Sequence, residues 1–168
     1  MSSVANVWSF QWIREHPVKF FGIVLHLVLR TLFAVFWLAA GINKVNKGWL
    51  NTDILKNIFL DRLNDIPPDA FAVFYLENFA LPLWLIVAWV VTIGEIYSAV
   101  GLLLGITTRI AAGVSLFILV NLAIGGYYDA SLIPFFILNF AFLYWQSGHW
   151  LGFDRILSKR YPNSLWFK

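Results

Sequence analysis

From Phe20 to Gly41 the run FFGIVLHLVLRTLFAVFWLAAG carries one full charge, Arg30, and no proline. A helix over that run is apolar on nearly every face. At about 1.5 Å per residue it is long enough to cross a hydrocarbon core of roughly 30 Å. Comparable runs follow from about Leu83 to Leu104, from about Thr108 to Tyr127 and, shorter, from about Ser131 to Ser147. The first is read as an uncleaved span, because it holds Arg30 and lacks a small-residue cleavage site. Only 12% of residues are charged, where a soluble domain carries about a quarter. The missing polar surface must face lipid. The expected fold is an all-α integral membrane four-helix bundle, one membrane domain over residues 1–168, with the bilayer as its first partner.

The connections have their own patterns. Leu104 to Thr108 reads as a tight turn, whereas residues 42–82 form a long connection with two amphipathic helices, at about 52–65 and 69–80. In the first of these, Ile54, Leu55, Ile58, Phe59 and Leu63 share a face, and Asn51 or Thr52 stands where a cap is needed. Pro67-Pro68 stops it, and Asp69 stands ahead of the second. Together they read as a lid. Trp8, Phe10 and Trp12 near one terminus, and Trp150 and Phe153 near the other, read as interfacial anchors on the opposite side.

Lysine and arginine set the orientation. Arg14, Lys19, Arg109, Arg155, Lys159, Arg160 and Lys168 fall on one side. Lys44, Lys47, Lys56 and Arg62 fall on the other, offset by Asp53, Asp61, Asp65, Asp69, Glu77 and Asp129. This bias places both termini in the cytoplasm of a multi-pass protein in the plasma or inner membrane. The net charge of +3 reports loop orientation and gives no reason to expect nucleic acid.

The absence of cysteine excludes disulfides, iron–sulfur clusters and thiolate metal sites. Of His16, His26 and His149, only His26 lies inside an apolar run, so neither a bis-histidine haem nor a metal centre is expected. Redox work in this chain would need a bound organic cofactor or a partner subunit.

Two charges lie deep within the spans, Arg30 and Glu95, and an unpaired charge at that depth costs a few kcal/mol or more. Counted from the ends of their apolar runs, the two stand at similar depth, roughly 15 and 14 Å from the cytoplasmic end at 1.5 Å per residue. They are expected to pair. Asn121 and Asn139 converge on the same region, where they either hold helices together or meet a ligand. His26 sits one turn below Arg30 as a core histidine or a proton carrier. Trp37, Gly41 and Lys44 continue the Arg30 stripe upward. Glu95, Ser98 and Leu102 share a face of the second span, with Tyr97 beside it. Gly101-x-x-x-Gly105 is a small-residue packing face. Trp37, Trp89 and Tyr97 pack as aromatics or offer flat rings to a ligand. Arg109 reads as a phosphate anchor, and Asp154 as a cap on the tail helix.

An arginine in the first span, then FWLAAGINKV, then GE…GLLLGITTR, and a terminal G-x-x-x-G-x-D from Gly148 to Asp154 form a pattern that resembles the DoxX/DoxD-like family of small four-helix membrane proteins. The likeness runs from about Leu29 to Arg155. It implies that Arg30, Gly41, Lys44, Glu95, Arg109 and Asp154 are characteristic positions. It also implies kinship with the membrane subunit of thiosulfate:quinone oxidoreductase, or with accessory parts of respiratory or photosynthetic membrane complexes. On the first expectation, the chain is a quinone-linked subunit acting with partner subunits. Arg30 then faces a reduced quinone oxygen and Glu95 or His26 moves protons. Trp37, Tyr97, Asn121 and Asn139 line the headgroup site, and Lys44 and Lys47 draw in an anionic substrate. On the second, the same polar groups are structural. A transport role is disfavoured, because no span is broken at its centre and no repeat is present.

Overall fold

The computed structural model describes residues 7–164, 166 and 167; Lys168, counted above toward orientation, lies outside them. Every regular element among the described residues is helical. A short α1 (Phe10–Glu15), capped by the Ser9 hydroxyl accepting from the Trp12 amide, leads into α2 (Pro17–Asn46). Proline at the first position of α2 has no amide to leave unpaired. Then come α3 (Ile54–Asp65) and α4 (Phe71–Tyr75), which runs on as a π turn over Leu76–Ala80. The long α5 (Trp84–Leu104) is followed by α6 (Thr108–Ile124) and α7 (Leu132–Tyr144), and α8 (Ser147–Trp150) and α9 (Asp154–Arg160) form the tail.

The helices α2 and α5, of 30 and 21 residues, are long and apolar enough to cross a membrane. The helices α6 and α7 are apolar but shorter, at 17 and 13 residues. The run expected from Ser131 to Ser147 breaks at Trp145, whose backbone is extended. Successive long helices are neighbours, with α5 between α2 and α6, and α7 closing the ring against α6 and α2. Phe33, Trp37, Leu102, Leu119 and Phe142 fill the centre.

Between apolar helices in lipid the hydrophobic effect gives little, so close approach of small residues must supply the contact. A Cβ on Gly101 would lie 2.6 Å from the Cβ of Ala111, which confirms that glycine as a packing face between α5 and α6. A Cβ on Gly41 would overlap Ile96 at 2.7 Å and touch the Cβ of Glu95 at 3.5 Å.

The lid forms as the apolar pattern requires. Leu55 and Phe59 of α3 meet Leu76, Ala80 and Ala88 in a second buried cluster. Its caps differ from expectation. Thr52 turns its hydroxyl back to the Gly48 carbonyl, at 2.9 Å, and the residue preceding α3 is Asp53. Ala70, not Asp69, precedes α4. The lid is fastened at three points: the Arg62 guanidinium donates to the Gly126 carbonyl and lies over the Tyr127 ring; the Tyr127 hydroxyl donates to the Ile58 carbonyl; and the Tyr75 hydroxyl donates to Asn121 Oδ1 at 2.8 Å. Burial pushes the Tyr75 hydroxyl above the usual tyrosine range, so it stays a neutral donor. Tyr75→Phe should cost about 1 kcal/mol. Amide exchange across α4 and the π turn should then quicken about fivefold, and unchanged exchange there would show that the bond does not hold the lid.

Candidate functional site

Arg30 and Glu95 do not pair. A Cβ on Gly105 would lie 3.3 Å from Arg30 Nη1, while Glu95 stands opposite Gly41. Arg30 is therefore level with the end of α5, and Glu95 sits about 15 Å along the helix from it. Depth counted from the ends of apolar runs misjudged this, because Pro17–Leu29 of α2 projects past α5 and is covered by the tail instead. The lean of the side chains widens the gap. Each Cα–Cβ bond tilts toward its own helix N-terminus, so on antiparallel α2 and α5 the two side chains diverge.

The same lean brings Lys44 and Glu95 together. Lys44 Nζ donates to Glu95 Oε1 at 2.6 Å, with Lys44 17% and Glu95 4% exposed. The ammonium also lies 4.9 Å from the centre of the Trp49 ring. This ion pair forms part of the wall of a cavity of about 530 Å³, enclosed by α2, α5, α6, α7 and the lid. Small-molecule sites commonly measure roughly 300–1,000 Å³, mostly apolar with a few convergent polar groups. Trp37, Trp49, Tyr75, Asn121 and Phe135 share the lining. Among the described residues, two buried polar atoms on lining residues have no protein partner: Trp37 Nε1, a donor, and Glu95 Oε2, an acceptor. A buried polar atom left without a partner is costly, so a small rotation that brought either atom to a ligand or water in the adjoining cavity would be favoured.

Of the residues singled out in the sequence, Trp37, Lys44, Glu95 and Asn121 thus meet at one cavity. The others lie elsewhere. Lys47 faces an adjoining outer hollow of about 290 Å³. Asn139 bridges to Ser115 and donates to the Phe135 carbonyl, linking α6 to α7. Tyr97 faces outward, its hydroxyl 2.8 Å from that of Thr107. His26 is boxed by Phe142, Trp145 and Trp150, edge-on at 5.0, 5.7 and 5.2 Å. Arg109 donates to the Tyr144 carbonyl. Trp49, Tyr75 and Phe135 were not foreseen, since nothing in their local pattern separates a cavity wall from ordinary packing.

At the other end, Arg30 and Asp154 belong to a clasp. Arg30 Nη2 donates to the Leu151 carbonyl at 2.7 Å. Asp154 does not cap the tail helix. Its carboxylate accepts from the amides of Thr107 (2.7 Å) and Thr108 (3.0 Å) and from the Thr108 hydroxyl (2.7 Å), and so caps α6. An anion is well placed at a helix N-terminus, where amides are unpaired. Thr107 has φ +48°, a left-handed conformation uncommon outside glycine, and the carboxylate holds it there. Gly105, also left-handed at φ +62°, touches Gly152 so closely that a Cβ on either would come within 2.8 Å of the other's Cα. Arg30→Met should free the tail, raising tryptic cleavage at Arg155 and Lys159 roughly tenfold for a lost bond worth about 1.5 kcal/mol. Equal cleavage in both proteins would count against the tie.

A family model described as DoxX matches residues 25–126, more than half of the chain. The chain belongs to the DoxX family. It is a membrane protein of that family. The matched DoxX region holds Arg30, Gly41, Lys44, Glu95 and Arg109, hence both charges of the cavity, and ends before the tail that supplies Asp154. No curated protein and no solved structure shows significant similarity to this DoxX chain.

Proposed function

We propose that the protein is a multi-pass membrane subunit of a quinone-linked oxidoreductase, with the quinone headgroup held in the Lys44–Glu95 cavity. The observation that carries this reading is the pairing of a free buried donor, Trp37 Nε1, with a free buried acceptor, Glu95 Oε2, on the lining of a largely apolar, aromatic cavity. A quinone needs donors at its oxygens, and a quinol needs acceptors; both types are present. The group supplies two-electron, two-proton chemistry when bound. The chain's own residues orient it and handle charge. Lys44 and Trp37 offer N–H groups, Glu95 offers a carboxylate oxygen and holds Lys44 in place, and the lid excludes water. In this reading α6 and α7 cross the bilayer beside α2 and α5, both termini are cytoplasmic, and the lid lies on the far side. In this reading the electrons come from a partner subunit, since the chain has no cysteine and the described residues hold no metal-ligand cluster that could oxidise a donor such as thiosulfate.

Gentle purification from native membranes, followed by quinone extraction and titration of tryptophan fluorescence with a benzoquinone, tests it. Trp37 and Trp49 lie at the site, so saturable quenching and bound quinone near one per chain are expected. A chain that carries only phospholipid and shows no saturable quenching would instead be a non-catalytic accessory subunit. The broad apolar outer face of α5, with Ile86, Trp89, Val90 and Ile93 exposed, suits contact with a larger complex.

A further inference from the structure

The cavity is closed toward the lid, where Arg62, Tyr75 and Tyr127 fasten α3 and α4 over it. It is not closed on one flank. The helices α2 and α7 touch through Phe33–Phe135 and Phe36–Phe135, with ring centres 5.8 and 4.8 Å apart. The helix α7 begins only at Leu132. The α2 stripe above Phe36, through Ala39, Ala40 and Asn43, therefore faces the outer hollow. That hollow and the cavity share Phe36, Ala40, Lys44 and Trp49 in their linings, so the two adjoin across these side chains, of which Ala40 is the smallest. Phe36 is 46% exposed, and Ser131 and Leu132 form the opposite rim.

We propose that this gap between α2 and α7 is a lateral opening for a lipid-soluble ligand with a hydrogen-bonding head and an apolar chain. The head reaches Lys44 and Glu95, and the chain leaves past Ala40 and Phe36 into the bilayer. The lining fits that division, with Lys44 and Glu95 at the inner wall and Phe36, Ala39, Ala40 and Leu132 along the flank, while Asn43 and Lys47 stand farther out along α2. A ligand with an apolar chain gains from burial against Phe36, Ala39 and Ala40 as a chainless one does not, and the lid end is fastened by Arg62, Tyr75 and Tyr127. Ala40 and Phe36 thus select for chain-bearing molecules. The inference rests on the cavity being the ligand site proposed above.

The probes are a chainless benzoquinone and the same benzoquinone with a decyl chain, titrated by tryptophan quenching in lipid nanodiscs. At roughly fourfold per buried methylene, seating two methylenes at the rim favours the decyl compound in wild type by about tenfold or more. In Ala39→Phe, which fills the outer hollow at a residue that does not line the cavity and adds no tryptophan, that advantage is expected to fall below about threefold, with affinity for the chainless probe unchanged. Equal decyl affinity in variant and wild type, or equal loss of both probes, overturns the opening while leaving the headgroup site intact. Failure of wild type to bind either probe overturns the site and the opening together. A photoreactive group in the decyl chain gives a readout on the unaltered protein. Labels on Phe36, Ala39 or Leu132 support the opening; labels on α3 or α4 mean admission through the lid and overturn it.

Discussion

Lys44→Met is expected to destabilise the protein by about 3–5 kcal/mol, the usual consequence of stranding one partner of a buried ion pair, and to abolish saturable quinone quenching. Glu95 is 4% exposed, so it cannot escape to solvent, and among the described residues Lys44 is the cation paired with it. Glu95→Gln should cost less, because Lys44 is 17% exposed and its long stem can carry the ammonium along α2 toward the membrane interface. The double variant Lys44→Met/Glu95→Leu removes both charges and should recover most of the lost stability. It should not recover binding, because the hydrogen-bonding wall is gone. Unfolding in detergent and quinone titration on the same four proteins check both halves. A double variant that binds like wild type would sink the assignment of the pair to ligand recognition. One no more stable than Lys44→Met would show that the loss came from packing.

The second large effect is at the clasp. Asp154→Ala leaves the Thr107 and Thr108 amides and the Thr108 hydroxyl without their acceptor. At about 1–3 kcal/mol per unsatisfied buried group, with partial rescue by water, the expected loss is about 4 kcal/mol. Gly148→Ala attacks the same point, since a Cβ on Gly148 overlaps the Asp154 carboxylate and the Thr108 hydroxyl. The two should be strongly non-additive, Gly148→Ala costing much less when Asp154 is already alanine, because part of what it collides with is absent. Strict additivity in detergent unfolding would mean that the glycine serves something other than the cap.

Much of this architecture can be read from the chain, because lipid demands it. The apolar runs give α2 and α5, the period of Ile54, Leu55, Ile58 and Phe59 gives α3, and Pro67-Pro68 gives its end. The stripe of Trp37, Gly41 and Lys44 is also legible, and two of its members reach the cavity. Pairing across helices is not legible. Whether Glu95 meets Arg30 or Lys44 depends on how far α2 slides past α5, and that register is set by Gly41 packed against Ile96, a tertiary contact. Asn139 and Tyr97 show the same limit. A polar residue in an apolar helix announces that it has a partner, but not which face carries it. Asp154 was recognisable as a cap, yet the helix it caps lies far earlier in the chain.

That separation has a consequence for biogenesis. Thr108 and Asp154 are 46 residues apart, and domains are assembled from the N-terminus as the chain emerges. When α5 and α6 have been made as a hairpin and the tail has not, the amides at the start of α6 have no carboxylate to receive them. The hairpin remains provisional through the synthesis of α7, and the ribosome must deliver the G-x-x-x-G-x-D segment before the turn at Gly105–Thr108 locks. A nascent chain stalled short of Asp154 should be a better substrate for membrane quality control than one released just beyond it.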